Sequence, residues 1–259
     1  MDGGLHISLA AERLFSVGGV PVTNSLITAW VVSALLILVA VMVGRNPALI
    51  PGKLQNVFEM MFEYLLTLME QTLGTRALAI RYFPLVATIF LFIFVSNMFD
   101  FLPVFGTFNF TGGGSPPAGG VPLFRAVNTD LNFPLALAII AFLVIELSGI
   151  LTLGVLKYGS KFVNFNTGVV GFLVGLVELI GNLARLISLS FRLFGNVLAG
   201  EVLLLVIGTF VPYIAPLPFL AFEIFIGFLQ SAIFALLTLA FIKLAIEEPH
   251  LTSSGQAHA

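Results

Sequence analysis

At 259 residues, 59% hydrophobic and 9% charged, with a mean hydropathy of +1.10, the chain departs far from the composition of a soluble domain. The net charge of −2 supplies no basic surface for nucleic acid, and the lack of cysteine excludes a disulfide framework and thiolate metal ligation. What remains is an all-α, polytopic membrane protein.

The first residues, MDGGLHISLAAERLF, show no basic stretch leading into an apolar core, so no cleavable signal or transit peptide is expected. A membrane helix needs about 20 apolar residues. The first such span runs from Asn24 to Val43 and is closed by Arg45. Residues Lys53 to Thr75 then mix Glu59, Glu63 and Glu70 with large apolar side chains at helical spacing, which predicts an amphipathic helix lying in the interface with its acids in water. A second span runs from Phe83 to Leu102, with Asp100 read as interfacial, and the Gly/Pro segment TGGGSPPAGGVP after it predicts a loop. The third span, Leu131 to Leu156, is closed by Lys157 and Lys161. Two longer stretches, Thr167 to Phe210 and Pro218 to Ile246, are joined by VPYIAPLP and predict a hairpin. The pattern gives five membrane-embedded helices plus one interfacial helix in a single membrane domain, without internal repeats.

With the N-terminus outside, Arg45, Lys53, Arg76, Arg81, Lys157, Lys161 and Lys243 all fall on the inner side, leaving Arg13 and Arg125 outside. The C-terminus is then cytoplasmic. His6, His250 and His258 sit in terminal segments at spacings that fit no metal site.

The fourth stretch carries the polar residues that the composition least explains. At about 100° per residue, Glu178, Arg185 and Arg192 fall close to one stripe, and Ser188 joins them. Gly195 and Ala199 border that stripe with small side chains, which let another helix approach closely. Glu201 points to the opposite side about 13 Å further outward, and Glu178 lies about 21 Å inward, so Arg192 separates two acids. Each such group left bare in lipid costs about 2.5 to 3.5 kcal/mol. In the fifth stretch Glu223 and Gln230 are seven residues apart on one face, and the hairpin brings Glu223 to the depth of Glu201. Two carboxylates that close do not both ionise comfortably, so they exchange protons readily and suggest an outer proton entrance.

The segments SFRLFGNVLAGE and FEIFIGFLQSAIFALLTLAFI, with SNMFDFLP and NTDLN before them, resemble subunit a of the F-type ATP synthases. The resemblance implies a stator that passes protons to a rotating ring of subunit c. It implies partners in that c-ring, in the peripheral stalk subunit b and in the remaining subunits, and it implies no cofactor and no ATP site in this chain. The family's essential arginine matches Arg192, its neighbouring asparagine matches Asn196, and the glutamine of the last helix matches Gln230. The outer path matches Glu201, Glu223, Asp130 and Asn132, and the inner path matches Glu178, Arg185 and Ser188. Glu146, inside the third span, has no counterpart in the family pattern. The last two helices would be long, tilted and wrapped around the rotor, in a bacterial plasma membrane ahead of an organelle membrane. The main alternative is a secondary ion-coupled transporter with an Arg/Glu site at mid-depth, which calls for inverted repeats and broken helices. A purely structural anchor gives no reason for acids on both sides of a buried arginine. Copurification with a ring of small hairpin subunits separates these classes.

Overall fold

The computed structural model describes residues 11–45, 52–101, 109–110, 121–162, 168–211 and 214–247. The chain enters through a short antiparallel hairpin, β1 (Arg13–Val17) and β2 (Val20–Thr23), an element the apolar periodicity does not reveal. Its turn is Gly18–Gly19, both at positive φ, as a two-residue hairpin turn requires. Thr23 then caps α1 (Asn24–Gly44) by accepting from the Leu26 amide. Only the first turns of α1 are buried, through Asn24, Ser25, Thr28, Ala29 and Val32, so most of its length faces outward.

Helix α2 (Lys53–Leu73) is strongly amphipathic and ends at Gly74, which takes the left-handed conformation. Its apolar side packs onto protein: Met69 and Leu73 join a core with Tyr82, Val86, Leu239 and Ile242, and Phe62 meets Phe83 edge-on at 5.5 Å. On its wet side Glu63 and Glu70 each reach Arg76 at 3.3 Å. Helix α3 (Arg76–Phe99) starts seven residues before the apolar run does, because Thr75 caps it and the helix continues through Pro84.

Strands β3 (Asn109–Phe110) and β4 (Val121–Pro122) pair across the Gly/Pro segment, whose residues 111–120 lie outside the described residues. A 3-10 turn, Val127–Thr129, leads into α4 (Asn132–Leu153). Gly154, at φ 82, breaks the third apolar run before Leu156, and α5 (Val155–Phe162) folds back so that the Tyr158 ring lies on Gly149. The long α6 (Gly168–Phe210) and α7 (Pro216–Ile246) complete the fold.

Helices α1, α3, α4, α6 and α7 are each long and apolar enough to cross a membrane, so the chain is an all-α polytopic membrane protein. Helix α7 is central, packing on α3, α4 and α6, while α4 and α6 pack on each other. Phe234, Leu193 and Ile93, all fully buried, form the seam where these helices meet. Between membrane helices that seam is held by close packing rather than by release of water. The apolar stretch of α7 is 39% buried and that of α6 only 6%, so α6 is the least covered of the five spans.

Candidate functional site

The α6–α7 hairpin is joined by polar contacts at two levels. Asn196 Nδ2 donates to Gln230 Oε1 at 2.8 Å, one helical turn from Arg192. One turn further toward the hairpin bend, Glu223 Oε1 lies directly on Gly200, where a β-carbon would have to displace it. Glycine at 200 therefore lets a carboxylate rest against the α6 backbone. Glu201 follows it, and the charges of Glu201, Glu223 and Asp100 lie within electrostatic reach of one another. Arg125, from the segment after β4, is within reach of Glu201.

A cleft of about 290 Å³ lies between these groups, lined by Asn97, Asp100, Asn196, Glu223 and Gln230. Its back wall is fixed by two amides: Asn128 Nδ2 donates to Asn97 Oδ1 at 2.7 Å, and Asn97 Nδ2 donates to the Gly227 carbonyl at 3.0 Å. Both Asp100 oxygens, Glu223 Oε2 and Gln230 Nε2 are buried without a hydrogen-bond partner among the described residues. A buried carboxylate in that condition requires water or a proton. Asp100 thus belongs to the cleft rather than to the interface. The signal was present in SNMFDF, where Asn97 and Asp100 are three apart and share a helix face.

Arg192 is exposed on α6 and has no hydrogen-bond or ion-pair partner among the described residues. Ser188, Gly195 and Ala199 beside it are exposed as well, and nothing lies within 4 Å of a β-carbon built on Gly195. On the adjoining flank of the helix, Leu189, Ser190 and Leu193 are buried. The guanidinium therefore projects from an apolar helix toward whatever covers its open face.

Inward of Arg192, Arg185 donates from Nη1 to Asn182 Oδ1 at 2.8 Å and lies 5.1 Å over the Phe241 ring. Asn182 donates to Glu146 Oε1 at 3.3 Å, and Tyr158 donates its hydroxyl to Glu146 Oε2 at 2.8 Å. Burial first, and then the Glu146 carboxylate, raise the Tyr158 phenol above its ordinary pKa, and the charge of Glu178 acts in the same direction. Tyr158 therefore stays a donor. The structure thus groups Glu178 and Arg185 with Glu146, Tyr158 and Asn182, which sequence spacing did not single out, and leaves Ser188 on the open face.

Asp130 and Asn132 lie together but outside the cleft lining. Asp130, 8% exposed, accepts from Ser25 Oγ at 2.8 Å and from Asn132 Nδ2 at 2.9 Å, tying α1 to the start of α4. The three histidines fall outside the described residues.

Comparison with known proteins matches residues 26–243 to the family described as ATP synthase A chain. ATP synthase subunit a 2 of Syntrophotalea carbinolica is 34% identical over 250 residues, covering 95% of this chain and 94% of its own. ATP synthase subunit a of Campylobacter jejuni is 36% identical over 224 residues, covering 85% and 89%, and that of Campylobacter fetus is 33% identical over 223 residues, covering 86% and 90%. With nearly its whole length aligned, and with Arg192, Asn196 and Gln230 set at one level of the α6–α7 hairpin, the chain belongs to the ATP synthase A chain family.

Proposed function

We propose that the chain is the proton-translocating stator of the Fo sector of a rotary F-type ATP synthase, offering two offset aqueous half-channels to the carboxylates of a c-ring. The observation that carries this reading is the Arg192 guanidinium, without a partner among the described residues and on an open face, with an acidic cleft on one side of it and a polar cluster on the other. A rotor carboxylate arriving opposite Arg192 is held ionised by the cation. On one side it takes a proton through Asp100, Glu201, Glu223, Gln230 and Asn196. On the other it releases a proton toward Ser188, Arg185 and Glu178. Asp130 and Asn132 stand at the outer mouth.

The guanidinium never deprotonates, so protons cannot hop past it from one path to the other. The continuous route runs through a turn of the ring, and each proton delivers about 2.3 kcal/mol per 100 mV of membrane potential. The orientation that fits the basic residues has the N-terminus outside and the C-terminus cytoplasmic, in a bacterial plasma membrane. The chain assembles with the c-ring, the peripheral stalk subunit b and the other subunits of the complex.

The decisive variant is Arg192→Lys. Lysine keeps the formal charge but is a single point donor that loses its proton when desolvated. ATP-driven proton pumping by vesicles carrying the variant complex should vanish. Pumping above half the parental rate, with normal assembly, rejects this function.

A further inference from the structure

We propose that Glu146 is a proton-relay residue of the inner aqueous path, passing protons between the crevice at the α4–α6 crossing and the inner membrane surface. The proposal rests on the reading of the chain as a proton-translocating stator.

Glu146 stands on α4 within the apolar run FLVIELSGIL, away from the α6 stripe that carries the other inner residues. An acid at such a position costs about 2.5 to 3.5 kcal/mol on insertion scales, and a neutral amide would tie the helices together at lower cost. Hydrogen bonds set its position. Both carboxylate oxygens are engaged by neutral donors, Tyr158 Oη at 2.8 Å and Asn182 Nδ2 at 3.3 Å. The nearby cation is committed elsewhere, since Arg185 binds Asn182 Oδ1 and lies over Phe241. Among the described residues no ion pair fixes Glu146 in its charged form, and both neutral partners can reorient to serve the protonated acid.

Space for water lies alongside. Ala138 and Ala141 keep α4 thin where it crosses α6, leaving a crevice of about 330 Å³ with Glu146, Asn182 and Arg185 at its polar end. The crevice has room for about one water, enough to hand a proton to the acid. The break at Gly154 makes the phenol available there, because it returns α5 onto Gly149 and sets Tyr158 against the acid. Among the described residues, the titratable groups beside Glu146 are Tyr158 on α5 and Arg185 on α6, with Glu178 of α6 within electrostatic reach of Tyr158, while α7 contributes the Phe241 ring.

In the step itself, a hydronium in the crevice gives up one O–H bond as a Glu146 oxygen forms one. The acid then returns the proton to water at the inner surface, and the sequence reverses for flow in the other direction.

The test uses membrane vesicles holding the assembled complex with its catalytic head removed, and reads passive proton conductance under an imposed potential across a range of inner-side pH. Glu146→Gln keeps size and hydrogen bonding but cannot exchange a proton. It should lower conductance about tenfold or more and flatten the dependence on inner pH, whereas Glu146→Asp should restore a large part of both. Conductance within twofold of the parent for Glu146→Gln overturns the relay. An equal loss for Glu146→Asp with the pH profile unchanged also overturns it, because a strut and not a titrating group would then be at work. Should Glu146→Gln fail to assemble, silver ions added from the inner side to Asn182→Cys read the crevice directly: block of conductance supports the relay, and indifference overturns it. ATP-driven pumping by Arg192→Lys tests the stator reading separately, so loss there beside parental conductance in Glu146→Gln removes the relay alone.

Discussion

Asn196 and Gln230 meet across the α6–α7 hairpin one turn from Arg192, with Asn196 Nδ2 donating to Gln230 Oε1 at 2.8 Å while Gln230 Nε2 stays buried without a partner among the described residues. The pair fixes the register of the two helices at the depth of the arginine. The buried Nε2 belongs to a side chain that lines the cleft together with Asp100 and Glu223.

Removing one member of this pair should cost more than removing both. Asn196→Leu strands the buried Gln230 amide oxygen, at about 1 to 3 kcal/mol, whereas apolar replacement of both partners is close to neutral. The thermal stability of the detergent-extracted complex should therefore fall for Asn196→Leu and recover for Asn196→Leu/Gln230→Leu, with pumping lost in both. A double variant less stable than the single one would show that the bond does not set helix register.

Gly200 makes a separable prediction, because the atom its β-carbon would meet is the free end of a flexible side chain. Gly200→Ala should leave assembly nearly unchanged, within about 1 kcal/mol, because Glu223 can swing aside. The swing moves the carboxylate out of the cleft, so proton conductance should drop several-fold. Normal conductance in Gly200→Ala would mean that the resting place of Glu223 on α6 has no bearing on proton flow.

The inner path can be mapped chemically, since the parent chain contains no cysteine. Cysteines at positions 178, 185 and 188 should react with membrane-impermeant silver or thiol reagents added from the inner side, because Ser188 and Arg185 are exposed on the open α6 face. Phe191, also exposed but apolar, is the control. Labelling at position 191 with none at the other three would place the inner path elsewhere.

The sequence was most informative where one helix carries the whole signal. Apolar runs of about 20 residues mark the spans, and a seven-residue spacing collects Arg185 and Arg192 on one face of α6. Residues that act across helices were harder to read. Asp100 looks like an ordinary span end until α3 is laid against α7 and the Asn97 side chain is found on the Gly227 carbonyl. Glu146 looked isolated because its partner Tyr158 lies beyond a chain reversal that depends on one positive-φ glycine, Gly154. The hairpin at Arg13–Thr23 is too short for periodicity to register, although Gly18–Gly19 was its available sign.

Glu201 and Glu223 should behave as one unit. They lie within electrostatic reach of each other and of Asp100, and Glu223 is held against α6 one residue before Glu201. Glu201→Gln and Glu223→Gln should each slow proton flow without preventing assembly, since amide and acid are close in size and both hydrogen-bond. If the two carboxylates hand the same proton along one path, losing the second after the first removes little more, so the double variant should lose less than the sum of the single losses on a logarithmic scale. The measurement is conductance through the membrane sector stripped of its catalytic head, for both singles, the double and Asp100→Asn. Strictly additive losses would mean that the two glutamates serve separate routes and that the cleft between α3, α6 and α7 is not the outer path.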